Sequence, residues 1–202
     1  MSKRIVVLVS GGGTNLQALI DAEKRGRIEM FSSASVATVI AYEKANVELN
    51  ITSEDYYVTF ITEEANTNLK VGDKILKFND EDYEPVKVAN HIQSLNPGDE
   101  IKLIVKRDDK EVLTTSKIVL IEEQKFIGIV ITTIKNFDKK NIVTFSPEKN
   151  ESGPSGGLMM SLGIYNSITE KDITNGKKIN NNTNNNYFII STSHKWIDIS
   201  WK

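Results

Sequence analysis

Leu69-Lys70-Val71-Gly72-Asp73-Lys74-Ile75-Leu76-Lys77-Phe78 decides how the middle of this chain reads. A glycine tolerates backbone angles closed to other residues, and an aspartate beside it bonds nearby N–H groups, so Gly72-Asp73 marks a turn. Lys74-Ile75-Leu76-Lys77-Phe78 then follows the turn as an apolar strand. Asn79-Asp80 forms the next turn. Pro85 suits the first position of a helix, with Val86, Ala89, Ile92 and Leu95 recurring every third residue behind it. Asn96-Pro97-Gly98-Asp99 ends that helix. Ile101, Leu103 and Val105 alternate as another strand, and Asp108-Asp109 leads into a return strand through Val112. With the strand Tyr57 to Ile61 ahead of the turn, residues 51–121 read as a compact β-rich module carrying one helix.

Working outward, residues 1–31 read as strand, glycine turn and helix: Ile5 to Val9, Gly11-Gly12-Gly13, then Asn15 to Arg25 with Leu16, Leu19 and Ile20 on one face. Residues 33–50 hold a linking helix, Val36 to Asn46. Residues 122–179 contain a strand Phe126 to Ile131, a second strand Ile142 to Phe145, and a helix behind Gly153-Pro154-Ser155-Gly156-Gly157. Residues 180–202 open with a run of asparagines that cannot build a core and are expected to be a disordered tail. The fold class is α+β.

A net charge of −2 predicts no broad attraction to nucleic acid or to an anionic membrane. The absence of cysteine excludes disulfides and thiolate metal sites. No apolar run approaches the roughly 20 residues that span a bilayer, so no membrane anchor is expected and the chain as written is expected in the cytoplasm. Glu63-Glu64, Asp80-Glu81-Asp82 and Glu122-Glu123 read as solvated loops rather than cation sites, and neither metal nor cofactor is implied.

The order of elements around Leu69 to Leu76 resembles a bacterial PDZ domain. That resemblance implies peptide binding by strand addition: extended or unfolded peptide segments would add to a sheet edge beside the helix. Carried over, the edge is Tyr57, Val58, Thr59 and Phe60, facing Val88, Ile92 and Leu95.

Ser155-Gly156-Gly157-Leu158-Met159-Met160-Ser161-Leu162-Gly163, with Thr169 to Ile179 after it, resembles the PDZ-containing Lon-type serine peptidases of bacteria. The likeness covers about residues 33–179, with the PDZ-like part first, as in that family. It implies Ser155 as a nucleophile at a helix N-terminus, where N–H groups favour a developing anion. Relatives of this kind are membrane-anchored and pair the serine with a lysine further downstream, after strands that would follow Ile179. The asparagine run stands there instead. Lys171, Lys177 and Lys178 precede it, Lys195 has no motif around it, and no catalytic lysine is assigned. A weak or inactive peptidase relative is therefore expected.

Arg4 to Ala22, containing Ser10-Gly11-Gly12-Gly13-Thr14-Asn15, resembles the start of phosphoribosylglycinamide formyltransferase, an enzyme of purine biosynthesis. The resemblance implies phosphate contacts from Gly13, Thr14 and Asn15 at a strand-to-helix turn. The chain thus reads as a mosaic of formyltransferase-like start, PDZ-like middle, partial Lon-type segment and Asn-rich tail. Three functions follow from it: an incomplete serine peptidase, a non-catalytic peptide-binding module, and phosphate-ligand binding or formyl transfer.

Overall fold

The computed structural model describes residues 14–138, 144–145, 154–170, 188–192 and 195–199. Two compact units divide the chain. The first takes residues up to Arg27 with Tyr57–Ile131; the second takes Ile28–Tyr56 with the chain from Thr132 onwards.

The first unit is built on an antiparallel sheet. Strands β1 (Ile51–Ile61), β2 (Lys74–Phe78), β3 (Glu81–Asp82), β4 (Glu100–Arg107), β5 (Lys110–Lys117) and β8 (Ile129–Phe137) lie in the order β5-β4-β2-β1-β8, with β3 paired to β2. Of β1 and β8, residues 57–61 and 129–131 belong to this unit. A separate hairpin joins β6 (Val119–Ile121) to β7 (Gln124–Phe126), and α2 (Pro85–Ser94) follows β3. Ile101, Leu103 and Val105 turn one face of β4 into the core beside Val58, Ile75, Val88 and Ile92, all buried. Ile75 and Lys77 bracket a bulge where β2 pairs with β4.

The turns sit where the sequence places them, and at some strain. Asn79-Asp80, Asp108-Asp109 and Glu122-Glu123 all hold positive φ, which suits two-residue hairpins. Asparagine and aspartate tolerate this conformation better than most residues, whereas Glu122 and Glu123 meet it with no such advantage.

Three readings change. The helices read separately before and after residue 31 are one, α1 (Thr14–Ala45), because Gly26 alone costs about 1 kcal/mol in a helix and its neighbours outweigh it. Leu19 and Ile20, read as part of one apolar face, are exposed. The single strand read over Phe126 to Ile131 is broken at Gly128, where φ is +71°.

In the second unit, Ala34, Ala37 and Ala41 give α1 a small-residue face. Met159, Met160 and Ile164 of α3 (Pro154–Ile168) bury against that face and Tyr42. Ser32 Oγ donates to the Thr133 carbonyl at 2.7 Å and the Lys135 N–H donates to Ser35 Oγ at 3.3 Å, tying α1 to β8 within this unit. In the C-terminal stretch expected to be disordered, β10 (Phe188–Thr192) pairs antiparallel with β11 (Lys195–Ile199) and with β9 (Thr144–Phe145). Phe188-Ile189-Ile190-Ser191-Thr192 is rich in β-branched residues, which favour strands. The asparagine run at 180–186 lies outside the described residues, as do Ile5 to Val9. No described helix is long and apolar enough to cross a membrane.

Candidate functional site: an open sheet edge beside a helix

Gly128 organises the site. Its φ of +71° is the left-handed region, and a Cβ there would lie 2.5 Å from Ala65 Cβ and 2.8 Å from Ala65 Cα. Only glycine lets the backbone cross Ala65 this closely. Two hydrogen bonds fix the peptide groups on either side. Ser116 Oγ donates to the Ile127 carbonyl at 3.3 Å, and the Thr62 N–H donates to the Gly128 carbonyl at 2.9 Å.

Those two bonds have a consequence for the opposite face of the loop. In a trans peptide the C=O and the following N–H point in opposite directions. With the carbonyl of Ile127 turned to Ser116 and that of Gly128 turned to Thr62, the N–H of Gly128 points away from Ser116 and the N–H of Ile129 away from Thr62. Thr59 Oγ1 donates to the Val130 carbonyl at 3.3 Å, so the Ile131 N–H also points away from β1. Among the described residues β8 ends the sheet on this side. Ile129 and Ile131, both half-buried, therefore turn their N–H groups away from β1; Gly128 is buried, Val130 is 49% exposed, and further along the same side of β8 Thr133 and Lys135 bond to Ser32 and Ser35 of α1. Adjacent N–H groups of this kind accept anions, and edge donors accept another strand.

The helix α2 supplies the neighbouring wall. Glu84 lends no side-chain cap, and Pro85 occupies the first turn, where its missing N–H has no intrahelical partner to lose. Val88 and Ile92 face the core. Val86, Asn90 and Gln93, spaced four and three residues apart, share the outer face, with Val86 74% exposed. Gln93 Nε2 donates to the Lys125 carbonyl at 2.9 Å, and Lys125 Nζ donates to the Gln93 carbonyl at 2.9 Å. That face of α2 is therefore turned toward β7.

The predicted edge is corrected by this arrangement. Tyr57, Val58, Thr59 and Phe60 lie on β1, which has β2 on one side and β8 on the other. The Val58 N–H donates to the Asp73 carbonyl at 2.9 Å, the Gly72 N–H donates to the Val58 carbonyl at 2.8 Å, and Val58 is 0% exposed. Val88 and Ile92 are core residues, and Leu95 follows the end of α2, half-buried. The physical reason lies in Phe126 to Ile131. This segment returns to take the position beside β1 and becomes the edge itself. Apolar-Gly-apolar in Ile127-Gly128-Ile129 is the signal that marks it.

Asp73 anchors the turn at Gly72. Its side chain, 1% exposed, accepts from Arg107 Nε at 2.7 Å and from the Lys70 N–H at 2.8 Å. It also accepts from a terminal guanidinium nitrogen of Arg107, at 2.6 Å. The Asp73 carboxylate holds the Arg107 guanidinium above its usual value. In the second unit, Lys135 and Tyr56 donate to Glu54 and hold its carboxyl below the ordinary range.

The remaining candidates are placed but not assembled. Ser155 is the second residue of α3; Lys171, Lys177 and Lys178 lie outside the described residues, and Lys195 opens β11. Gly13 also lies outside them, while Thr14 and Asn15 open α1. Among the described residues no group of three or more histidines and acids is placed to hold a metal.

No family model matches this chain. Over 41 residues it is 54% identical to phosphoribosylglycinamide formyltransferase of Saccharomyces cerevisiae, a match covering 20% of this chain and 18% of that enzyme's length. The match is N-terminal. Among solved structures it is similar to the PDZ domain of an SdrC-like protein from Listeria monocytogenes, at 22% identity over 41% of this chain and 92% of that one, with a TM-score of 0.35. A PDZ domain of an SdrC-like protein from Listeria innocua gives 23% identity over 38% and 92%, also with a TM-score of 0.35.

Proposed function

We propose that the first unit is a PDZ-like peptide-binding module that accepts the carboxyl end of an extended peptide at β8. The single observation that carries this is that β8 ends the sheet beside β1 among the described residues, which turns the N–H groups of Ile129 and Ile131 away from β1. A peptide laid along this edge receives main-chain hydrogen bonds, and its terminal carboxylate meets the paired N–H groups of Gly128 and Ile129. Val86 and Asn90 form the opposite wall and read its side chains. Affinity in the micromolar range, about −8 kcal/mol, is what strand addition of a short peptide supplies.

The test is a displayed library of C-terminal heptapeptides, followed by calorimetry of the best sequence as free acid and as amide. Binding that weakens on amidation, and is lost in Val86→Asp while the fold is retained, supports the reading. Equal binding of acid and amide removes the carboxylate from it.

Two other readings have narrower support. Ser155 stands in the first turn of α3 behind a Gly-Pro pair, where a Lon-type nucleophile would stand. Serine-dependent cleavage of a disordered protein, absent in Ser155→Ala, tests it. The N-terminal match to a formyltransferase supports phosphate binding at Gly13, Thr14 and Asn15. Binding of a phosphate ligand that disappears in Gly13→Val tests that.

A further inference from the structure

The hairpin β6–β7 is connected by Glu122-Glu123, with Ile121 opposite Gln124 and Leu120 opposite Lys125. In a two-residue hairpin the flanking pair exchanges hydrogen bonds and the next pair does not. Register therefore turns the Lys125 main chain away from β6, and its carbonyl is free to accept from Gln93. The other half of the exchange solves a problem at the end of α2. The last carbonyls of a helix have no intrahelical donors. The Leu95 N–H serves Ile92, Ser94 Oγ serves His91, and the Lys125 ammonium serves Gln93. A cation at a helix C-terminus is also favoured by the helix dipole.

Lys125 stands three residues before Gly128. We propose, resting on the peptide-binding reading, that Gln93 and Lys125 are positioning residues. Their reciprocal bonds clamp β7 to α2 and so hold the N–H groups of Gly128 and Ile129 where a terminal carboxylate can reach both. Neither side chain needs to touch the ligand for this. The clamp governs affinity for the carboxylate more than for the rest of the peptide.

The experiment compares Gln93→Ala, Lys125→Met and Lys125→Arg in the full chain. Each is titrated with the selected heptapeptide as free acid and as amide, and the exchange of the Thr62 amide, which bonds the Gly128 carbonyl, is measured without peptide. Loss of one exposed hydrogen bond in each variant, Gln93 Nε2 to the Lys125 carbonyl or Lys125 Nζ to the Gln93 carbonyl, predicts roughly fivefold weaker binding of the free acid in Gln93→Ala and Lys125→Met. The amide is expected to change little, and Thr62 to exchange faster. Lys125→Arg keeps a donor for the Gln93 carbonyl and is expected to stay within about twofold of wild type. Gln93→Ala changes no charge, so its agreement with Lys125→Met separates positioning from simple attraction of the lysine. Equal weakening of acid and amide, or weakening in Lys125→Met alone, overturns the proposal. If wild type binds neither peptide, the peptide-binding reading falls, and unchanged Thr62 exchange in both clamp variants would overturn the clamp separately.

Discussion

Replacing Gly128 by alanine adds one methyl group, and its effect can be worked out in parts. The left-handed backbone costs a residue with a Cβ about 1–2 kcal/mol. The new Cβ would sit 2.5 Å from Ala65 Cβ and 2.8 Å from Ala65 Cα, against the 3.5–4.0 Å that carbon atoms prefer. One segment must move by about 1 Å, and overpacking of this kind costs about 1–3 kcal/mol. Gly98 supplies the control. It also has positive φ, at +92°, but a Cβ there meets nothing within 4 Å. Gly98→Ala should therefore show the backbone cost alone. Restriction of the unfolded chain is the same in both variants and cancels in the difference. Urea unfolding should place Gly128→Ala about 2–5 kcal/mol below wild type and about 1–3 kcal/mol below Gly98→Ala. Equal losses, or a Gly128→Ala variant within 0.5 kcal/mol of wild type, would refute the close crossing at Ala65.

Gly26 lies inside α1 and a Cβ there also meets nothing within 4 Å, so Gly26→Ala should stabilise by about 0.5–1 kcal/mol in thermal unfolding; destabilisation would argue for a break in the helix. Arg107→Met strands the buried Asp73 carboxylate with the Lys70 N–H as its remaining bond, and should cost about 3–5 kcal/mol in urea; a loss under 1 kcal/mol would contradict the buried pairing. The Glu54 carboxyl, held low chiefly by its hydrogen bond from Lys135, contributes stability above the ordinary glutamate range and loses it as pH falls through that range. Carbon-detected titration should show Glu54 moving up in Lys135→Met, with a flatter acid limb of the melting curve. No movement would remove the pairing.

How much of this was legible follows the range of the signal. Pro85, Asn79-Asp80, Asp108-Asp109 and the alternation of Ile101, Leu103 and Val105 are local, and each element stands where those residues put it. The edge was not local. β8 finds β1 across some 70 residues of sequence, and Tyr57 to Phe60 look no different whether the neighbouring position is filled by a ligand or by the chain itself. Only the glycine in Ile127-Gly128-Ile129 hints at the difference, and within an apolar run it reads equally as an ordinary strand residue. The same ambiguity blurred the faces of α2: a spacing of three along Val86, Ala89, Ile92 and Leu95 merges two faces, and burial separates core Val88 and Ile92 from outer Val86, Asn90 and Gln93. Gly26 shows the converse, a breaker outvoted by the rest of the 32-residue helix α1. Ser155, Gly13, Thr14 and Asn15 were readable as motif residues only, since a nucleophile's base or a phosphate's cradle is assembled by contacts that no short motif contains.

The most direct test of the open edge is amide hydrogen exchange at Ile129 and Ile131, with and without a saturating free-acid heptapeptide. The account predicts fast exchange at both in the free chain and strong protection at both on binding, with the inward Thr62 amide protected throughout. A bound peptide that leaves Ile129 and Ile131 unprotected, or the two already protected in its absence, would contradict it.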